Sequence, residues 1–183
     1  MPRKLFDANV VISEFDKFLL SQGLTFTAVA IGGSALSILG IIDRPTQDVD
    51  LLTSHIPSAI ANASLAFADL HGLNSDWLNL GPLELLKHLP ADWTTHTVPL
   101  FNGKALTLRT LNRQLFINVK LWAMCDRSRD LEDLIALAPT PDELKRAVTW
   151  VTPLDANPEW PKYVLSQSQQ ITESLAKKKE LER

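Results

Sequence analysis

The feature that most constrains the fold of this chain is a short apolar run that ends abruptly in two glycines. Phe26–Ile31 is rich in strand-forming residues, Gly32 and Gly33 follow it directly, and a helical pattern then runs up to Gly40. This order predicts a strand, a tight glycine turn and a short helix. After a polar turn, residues 48–52 alternate acidic and apolar side chains, which predicts a second strand.

The rest of the chain alternates between helical and strand patterns. Helical segments are predicted at residues 9–22, 57–71, 82–89, 113–126 and 129–138, from Pro141 onward, and after Pro158. Residues 94–100 and 104–108 predict a hairpin whose Asn-Gly turn favours positive φ. The expected fold class is therefore α/β, with a small mixed β-sheet flanked by helices and a helical C-terminal part. We expect a main domain over residues 1–152 and a helical extension over residues 153–183.

Composition narrows the classes of protein to consider. The chain has 183 residues, of which 45% are hydrophobic and 21% charged, as in globular proteins. A net charge of -3 argues against a uniformly basic surface for binding nucleic acid regardless of sequence. Cys125 is the only cysteine, which excludes an intrachain disulfide or a multi-thiolate zinc site. Neither a secretory signal nor a membrane-spanning stretch is evident, so we expect a cytoplasmic protein with no membrane partner.

Two features near the glycine turn carry candidate chemistry. Asp48 and Asp50 are two positions apart on a predicted strand, so their carboxylates leave one face and can share a hard cation. Alone, this pattern equally describes the exposed face of an edge strand. Gly32, Gly33 and Ser34 can offer backbone N–H groups and a hydroxyl to an anion, although such glycines also permit close packing and Ser34 can cap the helix. Together, the two features supply donors for phosphate oxygens and acids for magnesium.

The order and spacing of these residues resemble the signature of the nucleotidyltransferase superfamily. The matching segments are Gly32-Gly-Ser-Ala-Leu36 and Arg44-Pro-Thr-Gln-Asp-Val-Asp50, and the second is typical of the abortive-infection (AbiEii-like) toxin-type branch. The resemblance implies a nucleotidyltransferase-like domain in which Asp48 and Asp50 hold Mg²⁺. It implies that the nucleoside triphosphate is bound by Gly32, Gly33, Ser34, Arg44 and Thr46.

A second stretch resembles the same branch. Asn118-Val-Lys-Leu-Trp-Ala123 and the acidic segment at 126–134 look like its lysine-containing helix and the segment that follows. The resemblance implies that Lys120 contacts phosphates across a cleft from the glycine turn, and that Asp130 supports the site. From the residues alone, Lys120 is either a snorkelling surface residue or a paired, inward-facing one, and Asp130 and Asp133 equally fit a solvated acidic face. A basic wall facing the aspartates is expected from Lys104, Arg109, Arg113, Lys120, Arg127 and Arg129.

The resemblance implies a metal-dependent enzyme that transfers a nucleoside monophosphate from a nucleoside triphosphate to a hydroxyl group. The implied acceptor is a transfer RNA end or a protein, and the branch implies a toxin with a cognate antitoxin as partner. Asp48, Asp50, Lys120 and Asp130 are the candidate catalytic residues. One departure favours an alternative, because many members add a third carboxylate from a later central strand and residues 104–110 contain no acid. That alternative is a catalytically weak or inactive module that binds nucleotide or docks a partner.

Overall fold

The computed structural model describes residues 4–81, 83–127 and 130–181. The chain divides into two compact units, residues 1–111 and residues 112–183, which we call the sheet unit and the helical unit. This grouping differs from the predicted main domain and extension, whose boundary after residue 152 stays a prediction.

The sheet unit alternates helices with short strands. Its helices are α1 (Ala8–Ser21), α2 (Gly32–Ile38), α3 (Ser58–His71) and α4 (Leu83–His88). Its strands are β1 (Phe26–Ile31), β2 (Val49–Leu51), β3 (Leu78–Leu80), β4 (Thr97–Asn102) and β5 (Leu106–Leu111). Gly23 and Gly72 follow the ends of α1 and α3 with φ of 66° and 61°, values that glycine adopts without the steric cost of a side chain. Pro82, the predicted start of α4, lies outside the described residues.

The five strands form one mixed sheet in the order β3-β2-β1-β5-β4. β1 is antiparallel to β2 and parallel to β5, while β2 and β3 are parallel and β4 and β5 antiparallel. The two outer strands are irregular: β3 has only three residues, and β4 contains Pro99, next to a shift in its pairing with β5. A mixed sheet with flanking helices confirms the predicted fold class.

One face of the sheet forms the core together with α1 and α3. Its aromatic centre joins Phe15 of α1, Phe67 of α3 and Trp77, with ring centroids 5.0 Å apart for Phe15–Trp77 and 5.2 Å for Phe15–Phe67. The strand residues buried on this face include Ala28, Ala30, Val49, Leu51, Leu106 and Leu108. The opposite face is half-buried and carries Val29, Asp50, Asn79 and Arg109. Polar side chains thus collect on the face that the core does not use.

The turn between β4 and β5 differs from the predicted positive-φ Asn-Gly turn. Gly103 does not adopt a left-handed φ, and the space that a side chain would fill there is taken by the carboxylate of Asp16 from α1. That carboxylate accepts hydrogen bonds from the backbone N–H groups of Lys104, Ala105 and Leu106 at 3.2, 2.8 and 2.7 Å. Glycine is therefore used at this turn for a close side-chain approach and not for its backbone freedom.

The helical unit contains α5 (Arg113–Arg127), α6 (Leu131–Leu137), α7 (Pro141–Val151) and α8 (Trp160–Leu181). Asn112 caps α5, since its Oδ1 accepts a hydrogen bond from the N–H of Leu115 at 2.9 Å. Thr140 and Glu143 form a reciprocal capping box at the start of α7. Arg129, predicted to begin the helix before Pro141, lies outside the described residues. Among the described residues, no helix combines the length and apolar character needed to cross a bilayer.

Candidate active site

Gly32 lies where β1 ends beside β2, and the carboxylate of Asp50 fills the space that a side chain at Gly32 would need. Ile31 at the end of β1 pairs with Asp50 of β2, and Gly32 follows with φ 79°. A Cβ added to Gly32 would lie 2.9 Å from Oδ2 of Asp50. Both the backbone conformation and the lack of a side chain are therefore needed for the Asp50 carboxylate to occupy its place.

The aspartate pair has the alternation expected of a strand with one core face. Asp48 and Asp50 are half-buried, whereas Val49 and Leu51 are fully buried in the core. Asp48 immediately precedes β2, which runs from Val49 to Leu51. Because neighbouring side chains in a strand leave opposite faces, the Asp50 carboxylate lies on the side of the sheet away from the core, and Asp48 directly precedes the strand two positions earlier. This arrangement excludes the alternative in which the pair merely decorates a strand at the sheet edge, since β2 lies between β3 and β1.

The loop before β2 is held by the N-terminal segment. Phe6 and Thr46 form an antiparallel bridge with N···O distances of 2.8 and 2.9 Å. The hydroxyl of Thr46 donates to the carbonyl of Asp48 at 3.0 Å, so Thr46 supports the backbone at the first aspartate. Arg44 brings its guanidinium close to the glycine turn, because Nη2 lies 3.8 Å from the Cβ position of Gly33.

Ser34 is placed differently from the helix-capping alternative. It lies inside α2 and is buried, and its hydroxyl donates back to the carbonyl of Ile31 at 3.3 Å. The N-cap of α2 is Ile31, which makes no side-chain capping bond. Ser34 thus ties α2 to the end of β1. Its contact with phosphate stays a prediction.

The glycine turn, Arg44, Thr46 and the aspartate pair all belong to the sheet unit. Comparison with known protein families gives a first indication of their function. Residues 4–138 match the family described as "Nucleotidyltransferase of unknown function (DUF6036)". The chain belongs to this family. Neither the comparison with curated proteins nor that with solved structures gives a match. Membership in DUF6036 supports the nucleotidyltransferase superfamily, and it does not extend to the abortive-infection branch.

The part of the helical unit matched to DUF6036 contains a buried ionic cluster. Lys120 of α5 donates to Oδ1 of Asp130 at 2.6 Å and to Oδ2 of Asp133 at 2.5 Å. The exposed fractions of the three side chains are 7%, 10% and 4%, so the snorkelling and solvated alternatives are wrong. Arg127 approaches the other oxygen of Asp130 at 3.7 Å. The buried ammonium group of Lys120 is thus paired with two buried carboxylates. These contacts do not test the prediction that Lys120 contacts phosphates.

Two of the side chains predicted to form a basic wall make contacts inside their own units. Arg109 of β5 donates to the hydroxyl and the carbonyl of Thr97 at 2.7 Å each. Arg113 of α5 pairs with Glu143 at 2.7 Å, and this hydrogen bond is the main reason that the pKa of Glu143 falls to about 2. Each of these two arginines therefore connects two elements of its own unit. Arg129 lies outside the described residues.

The donor set of the sheet unit suits Mg²⁺. Magnesium in proteins is commonly bound by one or two carboxylates and completes its octahedron with water and substrate phosphates. The Asp48–Asp50 pair provides two carboxylates, and Gly32 leaves room at the second one. Among the described residues, no group of three or more His, Cys, Asp or Glu could hold a metal ion. Two carboxylates leave most of the six positions around a magnesium ion to water and phosphate oxygens.

Three residues around the aspartates escaped sequence reasoning. Phe6 holds the loop before β2, and Asn79 of β3 pairs with Asp50. Gly81 approaches the same carboxylate, because a Cβ there would lie 3.4 Å from Cβ of Asp50. The alternation of Leu78-Asn79-Leu80 before a glycine was a weak strand signal, and nothing local in the sequence indicates its partner.

Proposed function

We propose that this chain is a metal-dependent nucleotidyltransferase that moves a nucleoside monophosphate from a nucleoside triphosphate to a hydroxyl of RNA or protein. The observation that carries the proposal is the Asp50 carboxylate in the space that a side chain at Gly32 would fill, in a chain of the DUF6036 family. A glycine turn this close to an acid supports a site in which a phosphate and a metal ion are bound together.

Each residue of the site has a defined task in the proposed reaction. Asp48 and Asp50 hold Mg²⁺, which when bound neutralises triphosphate oxygens and makes pyrophosphate a better leaving group. Gly32 and Gly33 let phosphate oxygens approach the backbone, and the guanidinium of Arg44 beside Gly33 donates to them. The acceptor hydroxyl oxygen forms a bond to the α-phosphorus while the bond to the β-phosphate oxygen breaks. Pyrophosphate leaves, and the hydroxyl proton passes to water.

The resemblance to the abortive-infection branch supports a finer version of this proposal. Arg44, Thr46, Asp48 and Asp50 match its pattern position by position. On that basis we propose a toxin that modifies a transfer RNA end or a protein hydroxyl and is restrained by a cognate antitoxin. Lys120 and Asp130 keep their proposed roles as phosphate contact and support in this version.

The proposal is tested by label transfer. The purified protein is incubated with each α-labelled nucleoside triphosphate, Mg²⁺, and total cellular RNA and protein, and the labelled fraction is identified. We expect Mg²⁺-dependent label in one fraction and its loss in Asp48→Asn and Asp50→Asn, which remove charge with little change of shape. Asp69→Asn is the matched control, because Asp69 is exposed on α3 and α3 covers the core face. Equal transfer by the parent and both site variants would overturn the assigned roles.

A second candidate is a nucleotide-binding module without turnover. It is favoured by the two-carboxylate site, since β5 carries no acid and no larger metal-binding group occurs in the described part of the chain. This candidate predicts that the protein binds a labelled triphosphate and transfers no label to any acceptor fraction. Equilibrium binding measured beside the transfer assay separates the two.

A further inference from the structure

We propose that Asn79 supplies the third protein oxygen of the metal site, taking the place of a third carboxylate. The inference rests on the proposed function and deepens it. It follows from which strand lies next to Asp50, a relation that exists only in the folded sheet.

The position of a third ligand is limited by the strand order. β2 has two neighbours, β1 and β3, and β5 lies beyond β1. Strands are about 4.8 Å apart, so a side chain on β5 starts about twice that distance from β2. On β1 the partner of Asp50 is Ile31, which has no oxygen in its side chain. On β3 the partner of Asp50 is Asn79.

Asn79 shares the face of the sheet that carries Asp50. The flanking residues Val49, Leu51 and Leu78 are buried in the core, with exposed fractions of 0%, 0% and 7%. Asp50 and Asn79 are both half-buried and alternate with them. Since parallel strands in register place equivalent side chains on the same face, Asn79 and Asp50 are neighbouring positions on the non-core face of the sheet.

The surroundings of Asn79 favour its oxygen as the cation-facing atom. Its Nδ2 donates to the carbonyl of Asp76 at 3.3 Å, which directs the nitrogen toward the preceding turn. Gly81, two residues later, donates its N–H to the carbonyl of Leu51 at 2.8 Å and has no side chain to fill the space beside Asp50. An amide oxygen is a normal ligand for hard divalent cations.

A neutral third ligand changes the electrostatics of the site. Two carboxylates and one amide carry two negative charges, whereas three carboxylates carry three. The free protein therefore binds a divalent cation weakly, and the phosphates of the triphosphate supply the missing negative charge. An aspartate at position 79 would restore that charge without a change in side-chain length.

The test measures Mn²⁺ binding to the full-length protein without nucleotide, by the loss of the free Mn²⁺ paramagnetic resonance signal. Mn²⁺ is the probe because it prefers the same oxygen ligands as Mg²⁺. We expect Asn79→Asp to bind Mn²⁺ on the order of tenfold more tightly than the parent, through one added charge a few ångströms away. Asn79→Ala should bind at least threefold more weakly. Asn62→Asp is the matched control, since Asn62 is exposed on α3, and should bind like the parent.

Failure of this inference can be told from failure of the proposed function. If Asp48→Asn and Asp50→Asn lose Mn²⁺ binding while Asn79→Asp and Asn79→Ala both bind like the parent, Asn79 is not a ligand and the proposed function stands. If the aspartate variants also bind like the parent, Mn²⁺ is bound elsewhere and both proposals fall. If neither the parent nor Asn79→Asp binds Mn²⁺, this inference alone falls, because the proposed function has the metal bound together with the triphosphate. Thermal unfolding of each variant shows that the comparison is made between folded proteins.

Discussion

Gly32 is constrained both by its left-handed backbone conformation and by the lack of space for a side chain. Comparison with Gly40 separates the two effects. Both glycines have left-handed backbone conformations, with φ of 79° and 70°. A Cβ at Gly32 would lie 2.9 Å from Oδ2 of Asp50, whereas a Cβ at Gly40 would have no neighbour within 4 Å. The backbone cost of alanine is therefore similar at the two positions, and only Gly32→Ala displaces the carboxylate.

We predict that Gly32→Ala and Gly40→Ala lose similar free energies of unfolding, about 1–2 kcal/mol each, from the left-handed conformation. The end of the Asp50 side chain can rotate away from the new methyl group at little cost in stability, but it then leaves the metal site. Mn²⁺ or triphosphate binding should fall at least tenfold in Gly32→Ala and stay at the parent level in Gly40→Ala. Urea unfolding and equilibrium binding measure the two effects, and equal binding by both variants would contradict the assigned contact.

Cys125 provides a second test at the level of a single residue. It is buried in α5, and burial raises the pKa of its thiol from 9.0 to about 11. The reactive thiolate is therefore about a hundredfold scarcer at about pH 8 than for a thiol of ordinary pKa. We expect a thiol-reactive disulfide reagent to label the native protein at least a hundredfold more slowly than the protein unfolded in guanidinium. Immediate labelling of the native protein would show that the thiol is accessible.

The contact between α1 and the β4–β5 turn is the clearest example of an element-level constraint. Burial by itself raises the pKa of Asp16, but the hydrogen bonds from Ala105, Leu106 and Lys104 outweigh it and lower the pKa below 3.8. A carboxyl group whose pKa is lower in the folded state stabilises that state above its unfolded pKa. The contribution is lost as the pH falls through the folded-state pKa.

We predict that Asp16→Asn lowers the free energy of unfolding by about 1.5–3 kcal/mol at neutral pH, because three backbone donors lose a charged acceptor. The difference between the parent and Asp16→Asn should shrink as the pH falls below 3.8, the ordinary pKa of the group. Urea unfolding across this pH range measures it. A constant difference at all pH values would rule out the carboxylate as the source, and Asp69→Asn should change stability little.

The elements that sequence reasoning predicted well are those set by local patterns. β1 was predicted because an apolar run ends in glycines, and the start of α7 because Pro141 is a good first residue for a helix. β3 was not among the predicted strands because its three residues are too few to show a clear period. The prediction of a positive φ at Gly103 was wrong, because the carboxylate that packs against this turn belongs to Asp16, which is far away in the sequence.

The candidate site divides in the same way. Asp48, Asp50 and the glycine turn could be proposed from the sequence because they lie close together in the chain, and their roles stay predictions. Asn79 could not be selected, because its relation to Asp50 depends on the pairing of two short strands. The sequence left open whether Lys120 is exposed or buried and paired. The choice depends on two carboxylates that follow it by 10 and 13 residues.

At the scale of the whole molecule, breaking the ionic cluster of the helical unit is expected to cost a large share of the stability. Removing one partner from a buried ion pair leaves an uncompensated charge, and the cost is about 3–5 kcal/mol. Whole proteins are stable by only about 5–15 kcal/mol. A loss of activity in a Lys120 variant therefore has to be separated from a loss of folded protein.

We predict that Lys120→Met lowers the free energy of unfolding by about 3–5 kcal/mol, and that Lys145→Met, an exposed site on α7, changes it by less than about 0.5 kcal/mol. A triple variant with Lys120→Met, Asp130→Leu and Asp133→Leu should recover most of the loss, since no charge is then left buried. Chemical unfolding of the four proteins measures this. A triple variant less stable than Lys120→Met would show that the carboxylates have other essential partners.

The irregular outer strands affect how this sheet meets other chains. A strand partner needs a straight run of unpaired N–H and C=O groups, and the three residues of β3 are too few to offer one. On the other border, Pro99 lacks an N–H and the shifted register after it bends β4. Neither border is a good template for adding a strand, so the sheet is protected against open-ended aggregation through its backbone.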